Sequence, residues 1–371
     1  MRCAPMKAGF SRRNALLLSA MSLALTACLG GGSDADSSQA QPYGSMAAKE
    51  MRALAQDYSG RIVGTAQGDK AAAYLQSRLQ AMGYAVQLQP FTFTTKAGVS
   101  YSSVNVVATK PGSSGKTVIV GAHYDSSNAY LGASAQGSLM PALQGLDDNA
   151  SGVGVLLELA SRLKNTATAD TIQFVSFGAE EMGLRGSAAY LAQMSDADKK
   201  ATRLMVNMDS LITGDTMYFH AGKVSTAANA KAGAARDLAL QLARQYGIQA
   251  ETNPGLDAAY PAGTGCCSDQ ETFDAAGIPV LAVEATNWKV GDNDGYQQVA
   301  DVSLFPALAY LKASGASANT PAGATWHNPV YDNVAYLEAK LPGRVAQRAA
   351  DFSRILTPLI ADVANGKLAL Q

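Results

Sequence analysis

Along residues 45 to 57, and again from 68 to 82, apolar positions recur every three or four residues among Ala, Leu, Gln and Arg, the spacing of one helix face. The period then changes. Tyr84 to Phe93 alternates, Ser103 to Thr109 is rich in valine, and Thr117 to Ala122 is a short apolar run of the kind buried on both sheet faces, ending at His123. Asp125 to Leu146 has no period and is rich in Gly, Ser and Ala, so it reads as a loop carrying the chain from His123 toward Asp148. A helix follows from Gly152 to Lys164, with Ser151 as its expected cap, and a strand from Thr171 to Phe177. Leu204 to Asp209 and Pro279 to Glu284 repeat the strand pattern, while Ala227 to Tyr246, Val302 to Lys312 and Leu337 to Val363 read as helices.

This alternation predicts an α/β fold: a single domain whose mixed, mainly parallel central sheet carries helices on both faces, with active residues at the carboxyl ends of strands. No internal repeat and no second domain boundary is visible after residue 45. The first 27 residues fit neither pattern. Arg2, Lys7, Arg12 and Arg13 precede an apolar stretch from Ala15 to Ala27, which is shorter than the roughly 20 residues of a spanning helix. Leu25-Thr26-Ala27-Cys28 resembles a bacterial lipoprotein signal-peptidase box, so residues 1–27 are expected to be a signal peptide and Cys28 a lipid-attachment site. Ser11-Arg12-Arg13 leaves a twin-arginine route open beside the general one. Residues 28–44 read as a polar, glycine-rich tether, and 45–371 as the folded domain. The expected location is the cell envelope, anchored to a membrane and facing the periplasm.

The chain's 29 basic and 30 acidic residues give no charge excess that would point to nucleic acid. With Cys3 removed and Cys28 acylated, the domain keeps Cys266 and Cys267, adjacent residues that could be thiols or a vicinal disulfide.

The chemistry lies in five strings: GAHYDS at 121–126, GLDDNASG at 145–152, FGAEEMGLRGS at 177–187, VNMDS at 206–210 and WHNPVYDN at 326–333. Each alone is more often a turn, a helix cap or a solvated face. Together they supply imidazole and carboxylate ligands, with a further acid for proton transfer, as a two-metal hydrolase requires. Asp125, two residues after His123, would project to the same side and could orient the imidazole. The adjacent Glu180 and Glu181 would point in different directions, permitting one ligand and one base. His220, at the end of Met217 to Phe219, reads as a hydrogen-bonded surface residue.

In this order the strings resemble the ligand motifs of the zinc aminopeptidases of the M28 peptidase family, over roughly residues 45 to 365. GTGCCSDQETFDAAGIPVLAVEATNW at 263–288 and DGYQQ at 294–298 add a likeness to the subgroup of bacterial alkaline phosphatase isozyme conversion aminopeptidases. The resemblance implies two divalent metal ions per chain, zinc above all, held by His123, Asp148, Glu181, Asp209 and His327, with Asp148 bridging. It also implies Glu180 as general base and acid, Asp125 as the orienting residue, and peptide or protein N-termini as substrates. Asp269 falls near the family's substrate pocket, though Gln270 stands where many relatives carry His. The subgroup suggests a basic N-terminal residue such as Arg, for which Glu284, Asp292 or Asp294 could supply the countercharge. Alternatives on the same scaffold are a glutaminyl cyclase, another metal-dependent amide hydrolase, or a non-catalytic binding protein.

Overall fold

The computed structural model describes residues 41–127, 143–307 and 321–370. The expected signal segment, most of the tether with Cys28, most of the loop between Asp125 and Leu146, and residues 308–312 of one expected helix lie outside the described residues. Among the described residues, no helix is long and apolar enough to cross a membrane.

Helices α1 (Ser45–Asp57) and α2 (Ala66–Ala81) precede the sheet. Its strands are β1 (Ala85–Thr94), β2 (Ser100–Lys110), β3 (Thr117–His123), β4 (Thr171–Phe177), β5 (Thr202–Met208), β6 (Thr216–Ala221), β7 (Ala250–Glu251) and β8 (Val280–Thr286). They lie in the order β1-β2-β4-β3-β5-β8-β6-β7. The central four, β4-β3-β5-β8, are parallel, as the continuous apolar runs predict; β1, β2 and β6 join antiparallel. The remaining helices are α3 (Gly152–Leu163), α4 (Arg185–Gln193), α5 (Asp196–Ala201), α6 (Lys223–Ala228), α7 (Ala234–Gln245), α8 (Gln270–Ala275), α9 (Val334–Lys340) and α10 (Arg344–Ala364).

Alternation along each strand divides the interior in two. In β3, Val118, Val120 and Ala122 join the larger core, which takes in apolar faces of α1, α2, α3, α7 and α10. Ile119, with Val175, Phe177 and Met205, enters a smaller core against Tyr190 of α4 and Phe273 of α8. Phe177 meets those rings at centroid distances of 5.9 and 6.1 Å, contacts worth about 0.5–1.5 kcal/mol each beyond simple burial. Gly121 makes this packing possible, because a Cβ there would lie 2.5 Å from the Phe177 ring.

Glu158 of α3 caps α1 from outside: its carboxylate accepts the N–H groups of Gly44 (2.7 Å) and Ala47 (2.8 Å), placing negative charge at a helix N-terminus. Arg162 bonds the same carboxylate at 2.8 Å and donates to the carbonyls of Gln41 (3.0 Å) and Pro42 (2.9 Å), so residues 41 and 42 of the expected tether are held to the domain.

Four expectations change. The helix expected over 227–246 is divided because Asn229 is extended (φ −151°, ψ 111°) and its side chain accepts the Lys231 N–H. That over 337–363 becomes α9 and α10, separated at Gly343, whose φ of +79° is left-handed. Residues 302–307 of the helix expected from Val302 form turns, with Ser303 bonded to the Asp301 side chain instead of a helical partner. Ser151 is not a cap: it has helical angles, its hydroxyl donates to the Asp147 carbonyl at 2.6 Å, and it accepts the Leu211 N–H at 2.9 Å.

Candidate metal centre and active site

The parallel strands deliver the site. β3 ends at His123, β4 leads into Glu180 and Glu181, and β5 leads into Asp209, all at the carboxyl edge of neighbouring strands. Asp148 comes from the tight turn Leu146–Ser151 before α3, where Asp148 (φ −110°, ψ 95°) and Asn149 (φ −136°, ψ 47°) depart from helical angles and the bond between them is cis. Asn149 anchors that turn to β5, donating to the Met208 carbonyl at 2.9 Å and accepting the Gly152 N–H at 2.9 Å. A side chain at Gly152 would put Cβ 2.4 Å from the Met208 carbonyl oxygen, so the close approach requires glycine.

Asp148 is the centre of the cluster. Its Oδ1 lies 3.1 Å from His123 Nε2 and its Oδ2 lies 3.3 Å from His327 Nε2. Asp209 Oδ2 is 3.4 Å from His123 Nε2, and Glu181 Oε2 is 2.9 Å from His327 Nε2. Ligand-type atoms of His123, Asp148 and Glu181 fall within 4.8 Å of one another, as do those of His123, Glu180 and Asp209. His123 Nδ1 lies 3.2 Å from the backbone carbonyl of Asp125 and 3.6 Å from Asp125 Oδ1, which turns Nε2 into the cluster. The Asp125 carboxylate itself accepts the N–H groups of Glu180 (3.1 Å) and Glu181 (3.2 Å).

The neighbouring carboxylates and imidazoles set one another's charge state. Burial lowers the proton affinity of His123, but the carboxylates of Asp209 and Glu180 outweigh it and hold the imidazole well above its ordinary pKa. His327 behaves alike, with Glu181 and Asp148 outweighing burial. Burial would raise Asp148, yet hydrogen bonds to His123 and His327 hold it well below the usual carboxylate range. Burial pushes Glu180 well above that range, with His123 opposing and Glu181 reinforcing the rise. Four carboxylates thus surround two imidazole nitrogens, and Glu181 Oε1 is buried without a hydrogen-bond donor. Carboxylate oxygens and imidazole nitrogens that converge without a thiolate are a donor set that suits divalent zinc, cobalt or manganese.

A supporting layer fixes the turn. The Asp332 carboxylate accepts the N–H groups of Asp147 (2.6 Å) and Asp148 (3.0 Å). Asp147 accepts from Ile212 N–H (2.7 Å) and Gln298 Nε2 (2.8 Å), so its acceptors are engaged inside the protein. Arg61, fully buried, donates to the carbonyls of Tyr124 (2.6 Å), Gln144 and Gly145 (2.7 Å), tying the chain after His123 to the chain before Asp148. Burial lowers its pKa to about 10. Sequence reasoning passed over Arg61; an arginine between two helix-like stretches carries no pattern that signals burial.

A cavity of about 490 Å³ opens from Glu180, Glu181, Asp209 and His327 toward Glu284, Trp288, Asp294 and Tyr296. Among the described residues, no Lys or Arg lines it. Glu284 and Asp294 face it, whereas Asp292 is exposed and does not line it, because the turn at 290–293 carries it outward. Asp269 is fully buried behind the wall, not in it. Gln270 accepts from Asn207 Nδ2 at 2.8 Å, and Ser268 Oγ accepts from the same amide at 3.0 Å, which fixes the local hydrogen bonding at Gln270. Glu271 lines the cavity and was not singled out in the sequence, since its neighbours read as an ordinary helix start.

His220 is fully buried, not a surface residue. Its Nδ1 accepts the Asn253 N–H at 3.2 Å, leaving Nε2 to donate to Glu284 Oε1 at 2.9 Å, and Trp288 Nε1 donates to the same oxygen at 2.6 Å. Cys266 and Cys267 form a vicinal disulfide on the cavity wall.

The model of peptidase family M28 matches residues 105–353, which span the site from β2 to α10. Alkaline phosphatase isozyme conversion protein of Escherichia coli (strain K12) is 41% identical over 331 residues, covering 87% of this chain and 91% of its own. Among solved structures, BSAP, a zinc aminopeptidase from Bacillus subtilis, superposes with a TM-score of 0.63 at 16% identity over 87% of this chain and 95% of that one. Porphyromonas gingivalis glutaminyl cyclase does so with a TM-score of 0.63 at 18% identity over 87% and 99%. With the family match covering most of the domain and its fold that of zinc exopeptidases, this chain belongs to peptidase family M28.

Proposed function

We propose that this metallo-aminopeptidase works through two divalent ions, zinc in the first instance, and releases the N-terminal residue of peptides or proteins. The observation that carries the two-ion reading is Asp148, whose two oxygens face different imidazoles at 3.1 and 3.3 Å. In this reading Asp148 is shared, His123 and Asp209 complete one ion's ligands, and Glu181 and His327 the other's. Bound there, the ions would polarise the scissile carbonyl and make a water more acidic. Glu180 is the residue that takes the water's proton and returns it to the leaving amine, and its burial suits a carboxyl that must hold a proton near neutral pH. Asp125 sets the backbone of both glutamates and the orientation of His123.

The free α-amino group of the substrate would lie against these carboxylates, which explains cleavage at chain ends. Away from the metal-site residues, the described cavity wall carries the acids Glu271, Glu284 and Asp294 and the aromatics Trp288, Tyr296 and Trp326, which supports a basic first residue such as Arg. Glutaminyl cyclases share the fold, but two metals per chain would argue against that reaction. From its N-terminal sequence we also infer export and lipid attachment at Cys28; an intact mass lacking acyl chains would reject this.

The test is a peptide library with free and acetylated N-termini, analysed by mass spectrometry with and without chelator. Loss of single residues from free N-termini, abolished by chelator and restored by zinc, supports the reading. Inertness of a protein verified to hold two metals would reject it.

A further inference from the structure

The Cys266–Cys267 disulfide takes no part in the chemistry above, yet it stands on the wall of the substrate cavity. Cys267 is exposed and Cys266 half-buried, so the bond is open to small reductants. Cys267 also adopts φ +98°, a left-handed conformation unfavourable for a residue with a side chain, and one that the closed ring helps to hold. Glu271, near the start of α8, brings its carboxylate beside the pair: a carboxylate oxygen lies within 4.8 Å of both sulfurs.

We propose that the reduced pair, together with Glu271, is a binding site for a thiophilic divalent cation. Reduction by two equivalents of a small thiol converts the bond into two Cys thiols and the reductant into its disulfide. The cation then replaces the two thiol protons, which are released, and is held by two thiolates and one carboxylate. This soft, sulfur-rich set differs in kind from the oxygen and imidazole set of the catalytic cluster, so it favours softer cations such as cadmium. A cation seated there would occupy the wall of the cavity that leads to Glu180 and Asp209, and reduction would make the enzyme sensitive to it. That blocking rests on the aminopeptidase reading; the site itself does not.

The probe is cadmium, added before and after reduction with a phosphine to the full-length chain carrying Cys3→Ser and Cys28→Ser, which keeps Cys266 and Cys267 as its remaining cysteines. Expected are no thiolate-to-cadmium ultraviolet absorption before reduction and, after it, an absorption that the Cys266→Ser/Cys267→Ser variant loses. Glu271→Gln should weaken cadmium binding about tenfold or more while keeping the absorption. Turnover of the reduced protein should fall in step with that absorption, beyond any cadmium effect shared by the double variant. Absent absorption, absorption undiminished in the double variant, or unchanged affinity in Glu271→Gln would each overturn the site. If the protein has no aminopeptidase activity, the spectroscopic result still decides.

Discussion

Asp125 Oδ1 accepts the backbone N–H of Glu180 at 3.1 Å, joining the end of β3 to the turn after β4 through one carboxylate, whose other oxygen takes the Glu181 N–H at 3.2 Å. The same residue's carbonyl meets His123 Nδ1 at 3.2 Å. Asp125→Asn replaces one acceptor by an amide that faces an N–H donor. It is expected to lower kcat/KM about 10- to 100-fold, with a parallel loss of metal affinity in a chelator titration. Unchanged values would remove Asp125 from its positioning role.

Glu180→Gln should keep the parent's metal content by elemental analysis and lose at least about 10²-fold in kcat. Near-parental turnover in a variant with full metal content would reject Glu180 as the proton-transfer group.

The buried Asp332 carboxylate takes two backbone N–H groups, those of Asp147 and Asp148. Asp332→Asn turns one of these acceptors into a donor and should destabilise the protein by about 1–3 kcal/mol, read as a lower urea midpoint at constant slope. An unaltered midpoint would show that the turn holds Asp148 without it.

Burial pushes the Asp269 carboxyl from 3.8 up to about 7, with His123 opposing the rise. The folded state therefore holds a proton that the unfolded chain releases near 3.8. This contribution to stability is full below about pH 4 and is lost as pH rises through 7. In metal-free protein, Asp269→Asn should gain stability relative to the parent across that window, then level off. A difference independent of pH would refute the assignment.

Glu284 is held by His220 and Trp288 at the cavity wall. Glu284→Gln should reduce kcat/KM for an N-terminal Arg substrate about tenfold or more, with little change for Leu. Equal losses on both would mean the carboxylate supports the fold instead of reading the side chain.

The central strands were legible from their short, largely apolar runs, and those of β3 and β5 stop at a ligand-type residue; His123 and Asp209 are visible on that ground alone. The choice between Asp147 and Asp148 was not. It depended on family resemblance, and the physical difference is tertiary: Asp147 turns inward to Ile212 and Gln298, while Asp148 turns to the two histidines. His220 was misread because its burial arises where β6, β8 and Asn253 converge, three segments with no shared local signal. Glu271 escaped notice for a similar reason, since what sets it apart is its place beside Cys267 on the cavity wall.

The groups assigned to bond cleavage stand at the ends of β3, β4 and β5 and on the turns beside them, whereas the far wall of the cavity, proposed to receive the substrate's first residue, draws on β8, residues 266–271 and the segment from Trp288 to Tyr296. The two meet at Asn207 on β5, whose amide holds Ser268 and Gln270. A lineage with this architecture can change what it trims by redrawing β8 and the cysteine segment while its inherited reaction centre stays in place. Asn207 is where such drift would first be felt by the chemistry.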